Sequence, residues 1–368
     1  MRGSRRLLQL LVVVVLSRPR PRPSRSLLLW ALALACVLLQ GACACITSEP
    51  SPTGRRELLA CVPQHPTRAI TLPQSPAVET EAVGSLQGTF SVTPTGEASF
   101  LLPISVPSGR AGIEPRMALQ YDSAAGDGVL GQGFSITGLS AITRCPKNLP
   151  QDSEIQSVEY AEGDKLCLDG KPLVAVSETP ASVEYRTLPD TFVKVVGHRV
   201  PAGPGAAVGE LPAWFEAFGP SGLVTEYGAS AASRPRGPHG TTRAWLAEKT
   251  HDGRGNAMTF GYCFAEAEGH TAELALDEIR YTSFEGPSPV EASRAVKLVY
   301  ESRNAEEVRL SFSGGMALQR SLRLRAIELV GPGEALVRRV GMEYAASPVS
   351  GRTLLSSVEE CAAYGVCR

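Results

Sequence analysis

Apolar and polar residues alternate along most of the chain in short runs, broken at close intervals by glycine and proline. Thr89-Phe90-Ser91-Val92-Thr93 alternates strictly, Pro94-Thr95-Gly96-Glu97 has the composition of a turn, and Ala98–Val106 runs extended again. Arg116–Tyr121 and Phe134–Arg144 repeat the alternation. A period of two puts every second side chain on one face of an extended strand, so each of these segments is predicted as a half-buried strand. Lys165–Leu168 and Lys171–Val176 flank Asp169-Gly170. That dipeptide accepts the positive φ angles of a tight hairpin turn, which makes this the clearest hairpin in the sequence. Trp214–Phe218 and Leu223–Tyr227 flank Gly219-Pro220-Ser221-Gly222 in the same way, and Trp245–Lys249 and Met258–Phe264 flank His251–Asn256. Ala295–Tyr300, Val308–Phe312, Ser321–Val330 and Leu336–Tyr344 complete the series, with a final strand predicted over Thr353–Val358. After residue 46 no stretch of about twelve residues carries a helical apolar period without a breaker. The predicted fold class is all-β: an antiparallel, hairpin-rich, sandwich-like body.

The N-terminus follows a different pattern. Two apolar runs, Leu7–Leu16 and Leu27–Leu39, are separated by the Arg/Pro tract Ser17–Ser26. The second run has Arg22 and Arg25 before it and Gly41-Ala42-Cys43-Ala44-Cys45 after it. A basic flank, a short apolar core and an Ala-x-Ala exit describe a secretory signal peptide, with cleavage expected after Ala44. A lipid anchor on the following cysteine and an uncleaved membrane anchor are the alternatives. Residues 46–80, rich in Pro, Ser and Thr and without periodicity, read as a linker. The organisation expected is therefore 1–45 as signal or anchor, 46–80 as linker and 81–368 as one β domain. The localisation expected is secreted, or at the outer membrane or cell surface as a lipoprotein, with membrane contact through the N-terminal segment alone.

Charge and cysteine content fit an exported body. The formal net charge of the 368 residues is −1, but residues 1–44 hold seven arginines and no acid. Without those seven, 29 basic residues face 37 acidic ones, a net of −8. Such a surface repels phosphate backbones, so no nucleic-acid partner is expected. A hydrophobic fraction of 43% excludes wholesale disorder. Three of the nine cysteines belong to the N-terminal segment, leaving Cys61, Cys145, Cys167, Cys263, Cys361 and Cys367. An even number in an exported chain permits disulfides. Cys361 with Cys367, across a short spacer containing Gly365, is the preferred pair; unpaired buried thiols are the alternative.

The residues that imitate catalytic motifs do not assemble into a site on paper. Gly126-Asp127-Gly128-Val129-Leu130-Gly131 matches the dinucleotide-binding glycine pattern, but strand-like sequence follows it where that site needs a helix. A glycine-rich turn is the expected role. Glu79/Glu81 and Glu266/Glu268 have the Glu-x-Glu spacing of ADP-ribosyltransferases, yet all four lie in predicted linker or loop. His65, His198, His239, His251 and His270 are dispersed, with no spacing suited to a metal. No Gly-x-Ser-x-Gly elbow and no Cys-x-x-Cys pair occur. The expectation is no enzymatic activity, no catalytic, cofactor-binding or metal-binding residue, and no cofactor.

Three stretches resemble the SpvB-type domain, found in virulence-plasmid proteins and at the start of insecticidal toxin complex B components. The most specific is Gly88–Arg144, with G-T-F-S-V-T-P-T-G-E-A-S-F-L-L-P-I-S-V-P-S-G-R-A-G-I-E-P-R-M-A-L-Q-Y-D-S followed by G-D-G-V-L-G-Q-G-F-S-I. Trp245–Phe264 resembles a single Rhs/YD-type hairpin. Tyr344–Cys367 is similar to the family element ending in Glu-Cys and Gly-x-Cys, here Glu360-Cys361 and Gly365 to Cys367. The resemblance implies a non-enzymatic scaffold that helps to hold or deliver a toxic polypeptide. The alternative is a secretion-associated segment of a split toxin whose enzymatic part is encoded separately. The partner implied is a toxin complex or Rhs-type shell protein, or a second copy of the chain, because Thr353–Val358 is expected to leave an unpaired edge.

Overall fold

A computed structural model of the chain describes residues 86–199, 211–363 and 367. The predicted signal segment 1–45, the linker 46–80, His65, Glu79 and Glu81 lie outside the described residues. What is described is all-β, with antiparallel pairing throughout the strand ladders.

The strands in chain order begin with a small group. They are β1 (Thr89–Val92), β2 (Ala98–Ile104), β3 (Met117–Asp122), the short pair β4 (Asp127–Gly128) and β5 (Gly131–Gln132), and β6 (Phe134–Thr137). A second group is β7 (Ala141–Cys145), β8 (Lys165–Leu168), β9 (Lys171–Glu178), β10 (Ser182–Thr187), β11 (Lys194–His198), β12 (Trp214–Phe218), β13 (Val224–Tyr227) and β14 (Ala244–His251). The last comprises β15 (Asn256–Ala267), β16 (His270–Phe284), β17 (Arg294–Ser302), β18 (Arg309–Ser313), β19 (Met316–Arg320), β20 (Leu322–Gly331), β21 (Ala335–Ala346) and β22 (Thr353–Ala362). Helix is limited among the described residues to one turn at Leu149–Asp152 and three single turns of 3₁₀ type.

Strands β7 to β14 close on themselves. Each pairs with its sequence neighbour, and β14 returns to β7 through Ala244↔Thr143, Trp245↔Ile142 and Leu246↔Ala141. An eight-stranded barrel is just wide enough for its own side chains to fill. Here they are Ile142, Leu166, Leu168, Leu173, Val183, Tyr185, Val195, Phe215, Tyr227 and Trp245. The alternation read from the sequence is visible as burial of every second residue in β10, β11 and β12. Trp245 is 1% exposed, meets Phe215 edge to face at 5.2 Å, and donates its indole N–H to Ala213 O at 2.9 Å.

Strand β14 serves two sheets. Its first half closes the barrel, while Lys249–His251 pairs with β15. From there the sheet runs on in the order β15, β16, β17, β20, β21, β22. The small sheet β1-β2-β3-β6 packs on this extension. Leu102, Ile104, Met117 and Leu119 from the small sheet meet Ile279, Val296, Leu298, Leu324, Ile327, Leu329, Val340 and Met342 from the large one. The sandwich-like body is therefore real for this half of the chain, whereas the barrel was not expected. Phe134–Arg144, expected as one strand, is two strands in two sheets. Gly138 breaks it at φ +89°, where a Cβ would lie 1.8 Å from the Arg116 carbonyl oxygen. The Asp169-Gly170 turn has both residues at positive φ, 49° and 78°, as a type I′ hairpin requires.

Candidate interaction surface

The residues that imitate catalytic motifs are engaged in holding the fold. In Gly126–Gly131 the chain makes the β4–β5 hairpin, followed by β6 and not by a helix. Arg303 buries its guanidinium against this hairpin, donating to Asp127 Oδ2 at 2.7 Å and to the Gly128 carbonyl. Gly131 sits at φ +87°, and a Cβ there would lie 2.6 Å from Thr353 O. The glycines allow close backbone approach and the left-handed turn. Glu266 accepts a hydrogen bond from Thr271 Oγ1 at 2.6 Å, and Glu268 occupies the following turn at φ 50°.

The described histidines are separated in the same way. His198 stacks on Trp214 with ring centres 4.0 Å apart and lies 2.7 Å from Glu216 Oε2. His270 is buried with Nε2 2.9 Å from Ala317 O, His239 sits in a turn, and His251 Nε2 is 3.5 Å from Glu226 Oε1. Asp252, next to it, closes its turn by accepting from the amides of Arg254 and Asn256 and from Asn256 Nδ2. The Asn256 side chain first, then those amides, hold its carboxyl below the usual carboxylate range. Glu359, Cys361 and Cys367 come close enough together to suggest a metal, but the two cysteines are bonded to each other. A second disulfide, Cys145–Cys167, links β7 to β8; the sequence offered no means of choosing that pair.

A polar cleft of about 520 Å³ lies beside the segment between β13 and β14, lined by Arg234, Arg236, Thr241, Thr242, Phe264 and Glu266. Arg234 is tied down there by the carbonyls of Ser230 and Ala213, each at 3.2 Å.

The surface of another character lies at the end of the large sheet. Strand β22 pairs with β21 along its length and, among the described residues, has no hydrogen-bonded strand on its other side, although Gly131 of β5 packs against the Thr353 carbonyl at its start. Only at Cys361 does Cys367 fold back to make a bridge. Leu355 and Val358 lie opposite Tyr344 and Met342, so they share the inner face of the sheet. Across from them stand Leu86, Phe100, Leu102, Leu119 and Phe134, enclosing an apolar groove of about 250 Å³. Phe90 pairs directly with Phe100 and therefore points to the same inner side. Yet Phe90 and Val92 are 65% and 60% exposed.

Residues 92–195 match the profile of the SpvB family, described as Salmonella virulence plasmid 65kDa B protein. This stretch is an SpvB-type domain. It runs from the end of β1 through the small sheet and into β11, part-way round the barrel. No curated protein matches the sequence as a relative. Among solved structures the chain is similar to TcdB2-TccC3, with 18% identity and a TM-score of 0.63 over 78% of this chain and 16% of that one. The Photorhabdus luminescens Tc holotoxin pore gives 19% identity and a TM-score of 0.59 over 76% of this chain and 16% of that one. The N-terminal domain of the effector protein SpvB from Salmonella typhimurium strain LT2 gives 17% identity and a TM-score of 0.55 over 71% of this chain and 98% of that one. The similarity in fold therefore extends well beyond the SpvB-type stretch, and the chain spans 16% of the TcdB2-TccC3 chain's length.

Proposed function

We propose that the chain is an exported, non-enzymatic β-scaffold that takes part in a toxin assembly. The observation that carries this reading is the fold shared with nearly all of the SpvB N-terminal domain and with part of the TcdB2-TccC3 chain. The engagement of Asp127, Asp252, Glu266, Cys361 and Cys367 in turns, ion pairing and a disulfide supports a structural role for the motifs that imitate active sites. Disulfides at Cys145–Cys167 and Cys361–Cys367 suit an oxidising compartment and so support export. The partner is a protein, a toxin complex or Rhs-type shell component, and not a nucleic acid.

The test has two arms. Mass spectrometry of fractionated cells should find a mature chain beginning near Cys45 outside the cytoplasm; a cytosolic product retaining Met1 overturns export. Co-expression with any shell protein encoded beside this chain should yield one complex on size-exclusion chromatography with light scattering. Separate elution of the two overturns the scaffold reading.

A further inference from the structure

We infer that the polar cleft beside the segment between β13 and β14 takes an extended acidic segment of a partner protein, seating carboxylates at alternate positions on Arg234 and Arg236. The inference deepens the scaffold reading: it rests on that reading for a protein partner and gives the partner a chemistry.

Residues 234–243 read R-P-R-G-P-H-G-T-T-R, three arginines without an acid in a body that carries an excess of acid. Elsewhere Arg144, Arg303 and Arg323 each meet a carboxylate, at 2.8, 2.7 and 2.5 Å. Among the described residues Arg234, Arg236 and Arg243 form no ion pair; the bonds that Arg234 and Arg243 make go to main-chain carbonyls. Arg243 is half-buried and donates to Thr271 O at 3.2 Å. Burial holds its guanidinium below the ordinary arginine value, and the Tyr160 phenol, not a carboxylate, opposes that effect. Arg234 gives its Nε and one Nη1 hydrogen to the Ser230 and Ala213 carbonyls, which leaves Nη2 uncommitted. Arg236 is exposed and engages the fold through its main chain, exchanging bonds with Thr271 Oγ1 at 2.8 Å and Thr271 N–H at 3.0 Å.

The segment is shaped before any partner arrives. Pro235 and Pro238 fix two backbone angles, Gly237 N–H donates to Thr241 O at 2.7 Å, and Arg243 N–H donates to Pro235 O at 2.9 Å. Arg234 stands before a proline at φ −119° and ψ 84°, so the backbone there is extended. Alternate residues of an extended chain lie about 6–7 Å apart, which is also the repeat of every second side chain in an extended ligand. Glu266 lines the cleft too, with Oε1 accepting from Thr271 Oγ1 at 2.6 Å. Its remaining acceptor positions suit main-chain N–H groups, which a peptide has and a bare phosphate or small carboxylate lacks. As an acid it also repels a compact dianion, and Phe264 adds an apolar wall that such an ion does not use. Glu248, near the start of the segment, is occupied by Ser230 N–H and Ser233 Oγ and enters no ion pair among the described residues.

The probe is a fluorescein-labelled ten-residue peptide of alternating glutamate and serine, titrated by anisotropy against the full chain at low salt. Binding is expected, weakened by added salt, while a glutamine–serine peptide should not bind. Arg236→Ala removes an exposed side chain, so circular dichroism should be unchanged while affinity falls about tenfold, the loss of one charge-assisted contact. Arg254→Ala, at an exposed arginine in the turn between β14 and β15, should leave affinity as it was. Equal losses in the two variants, equal binding of the glutamine–serine peptide, or no binding by the full chain overturns the site. Competition by inorganic phosphate or glutarate as strong as by unlabelled peptide makes this a small-anion site and overturns the peptide occupant. If the peptide fails while the chain still co-elutes with a shell protein, the cleft proposal is wrong and the scaffold reading stands. If the peptide binds as described while chain and shell protein elute apart, the scaffold reading fails alone.

Discussion

Arg303, at the end of β17, holds Asp127 of the β4–β5 hairpin at 2.7 Å across a separation of 176 residues. The guanidinium is buried, and it also donates to the carbonyls of Gly128 and Leu322. One side chain thus clamps the glycine-rich hairpin onto the large sheet. Removing one member of a buried ion pair leaves an uncompensated charge, at a cost of roughly 3–5 kcal/mol. Arg303→Met is expected to cost about 3 kcal/mol, the low end, because Asp127 keeps 14% exposure. In urea denaturation, Asp127→Asn should cost less in the Arg303→Met background than in the native chain. Additive effects would show that the two residues do not act as a pair.

The Cys145–Cys167 bond closes a loop with a sequence separation of 22. Loop-closure entropy for such a length is worth about 3 kcal/mol. Replacing both cysteines by serine should lower the denaturation free energy by that amount. The native chain under reducing conditions should show a larger loss, because the Cys361–Cys367 bond and that of Cys263 open as well. A double variant as stable as the native chain would place this bond outside the stabilising framework.

Gly228 is held at φ +65°, with a built Cβ only 2.4 Å from Trp245 Cδ1. Gly228→Ala combines an unfavourable backbone conformation with overpacking against the largest side chain in the barrel. A loss of about 1–3 kcal/mol is expected. Trp245→Ala, which empties the same place, should cost about 3–5 kcal/mol. Urea denaturation measures both losses, and indole fluorescence in a background with Trp30 and Trp214 replaced by phenylalanine reports on Gly228→Ala: emission should be that of a buried ring in the parent and shift to the red in the variant. An unshifted spectrum with unchanged stability would contradict the contact.

Burial pushes the phenols of Tyr185, Tyr227 and Tyr281 up to about 12 and raises those of Tyr262, Tyr300 and Tyr344 as well. The neutral form is favoured in the folded state, against an ordinary value near 10 in the unfolded chain. Their contribution to stability is therefore complete below about pH 10 and is lost as the pH rises through about 12. Tyrosinate absorbance should lag behind that of free tyrosine and then rise together with the loss of the strand-type circular dichroism signal. Ionisation near 10 with the fold intact would mean that these rings are solvated.

Much of the strand pattern could be read locally. Asp169-Gly170 specifies its turn because both residues must enter positive φ, and β12 was predicted with the bounds it has. The longest strand, β16 (His270–Phe284), escaped notice because it is buried on both faces in part and carries Glu273, Asp277 and Glu278 within it. Glu273 is tolerated there since Ser321 and Leu322 supply three donors to its carboxylate, a circumstance no local window contains. Thr353–Val358 was legible as an apolar strand; the groove beside it was not, since Phe100 and Leu355 are 255 positions apart.

By itself the sequence determined the all-β class, most of the turns and the structural character of Gly126–Gly131, because alternation and positive-φ glycines are properties of neighbouring residues. It also pointed to the SpvB-type stretch, whose irregular glycine and proline pattern is itself a record of turns. Tertiary structure alone decided that β7 and β14 close a barrel, that Gly138 divides one apparent strand between two sheets, and that the small sheet packs on the inner face of the large one. Those outcomes depend on which edges meet across about a hundred residues or more. Backbone hydrogen bonds satisfy any partner strand equally well, so the choice falls to packing: Trp245 and Phe215 filling one interior, and Leu119 and Ile327 the other.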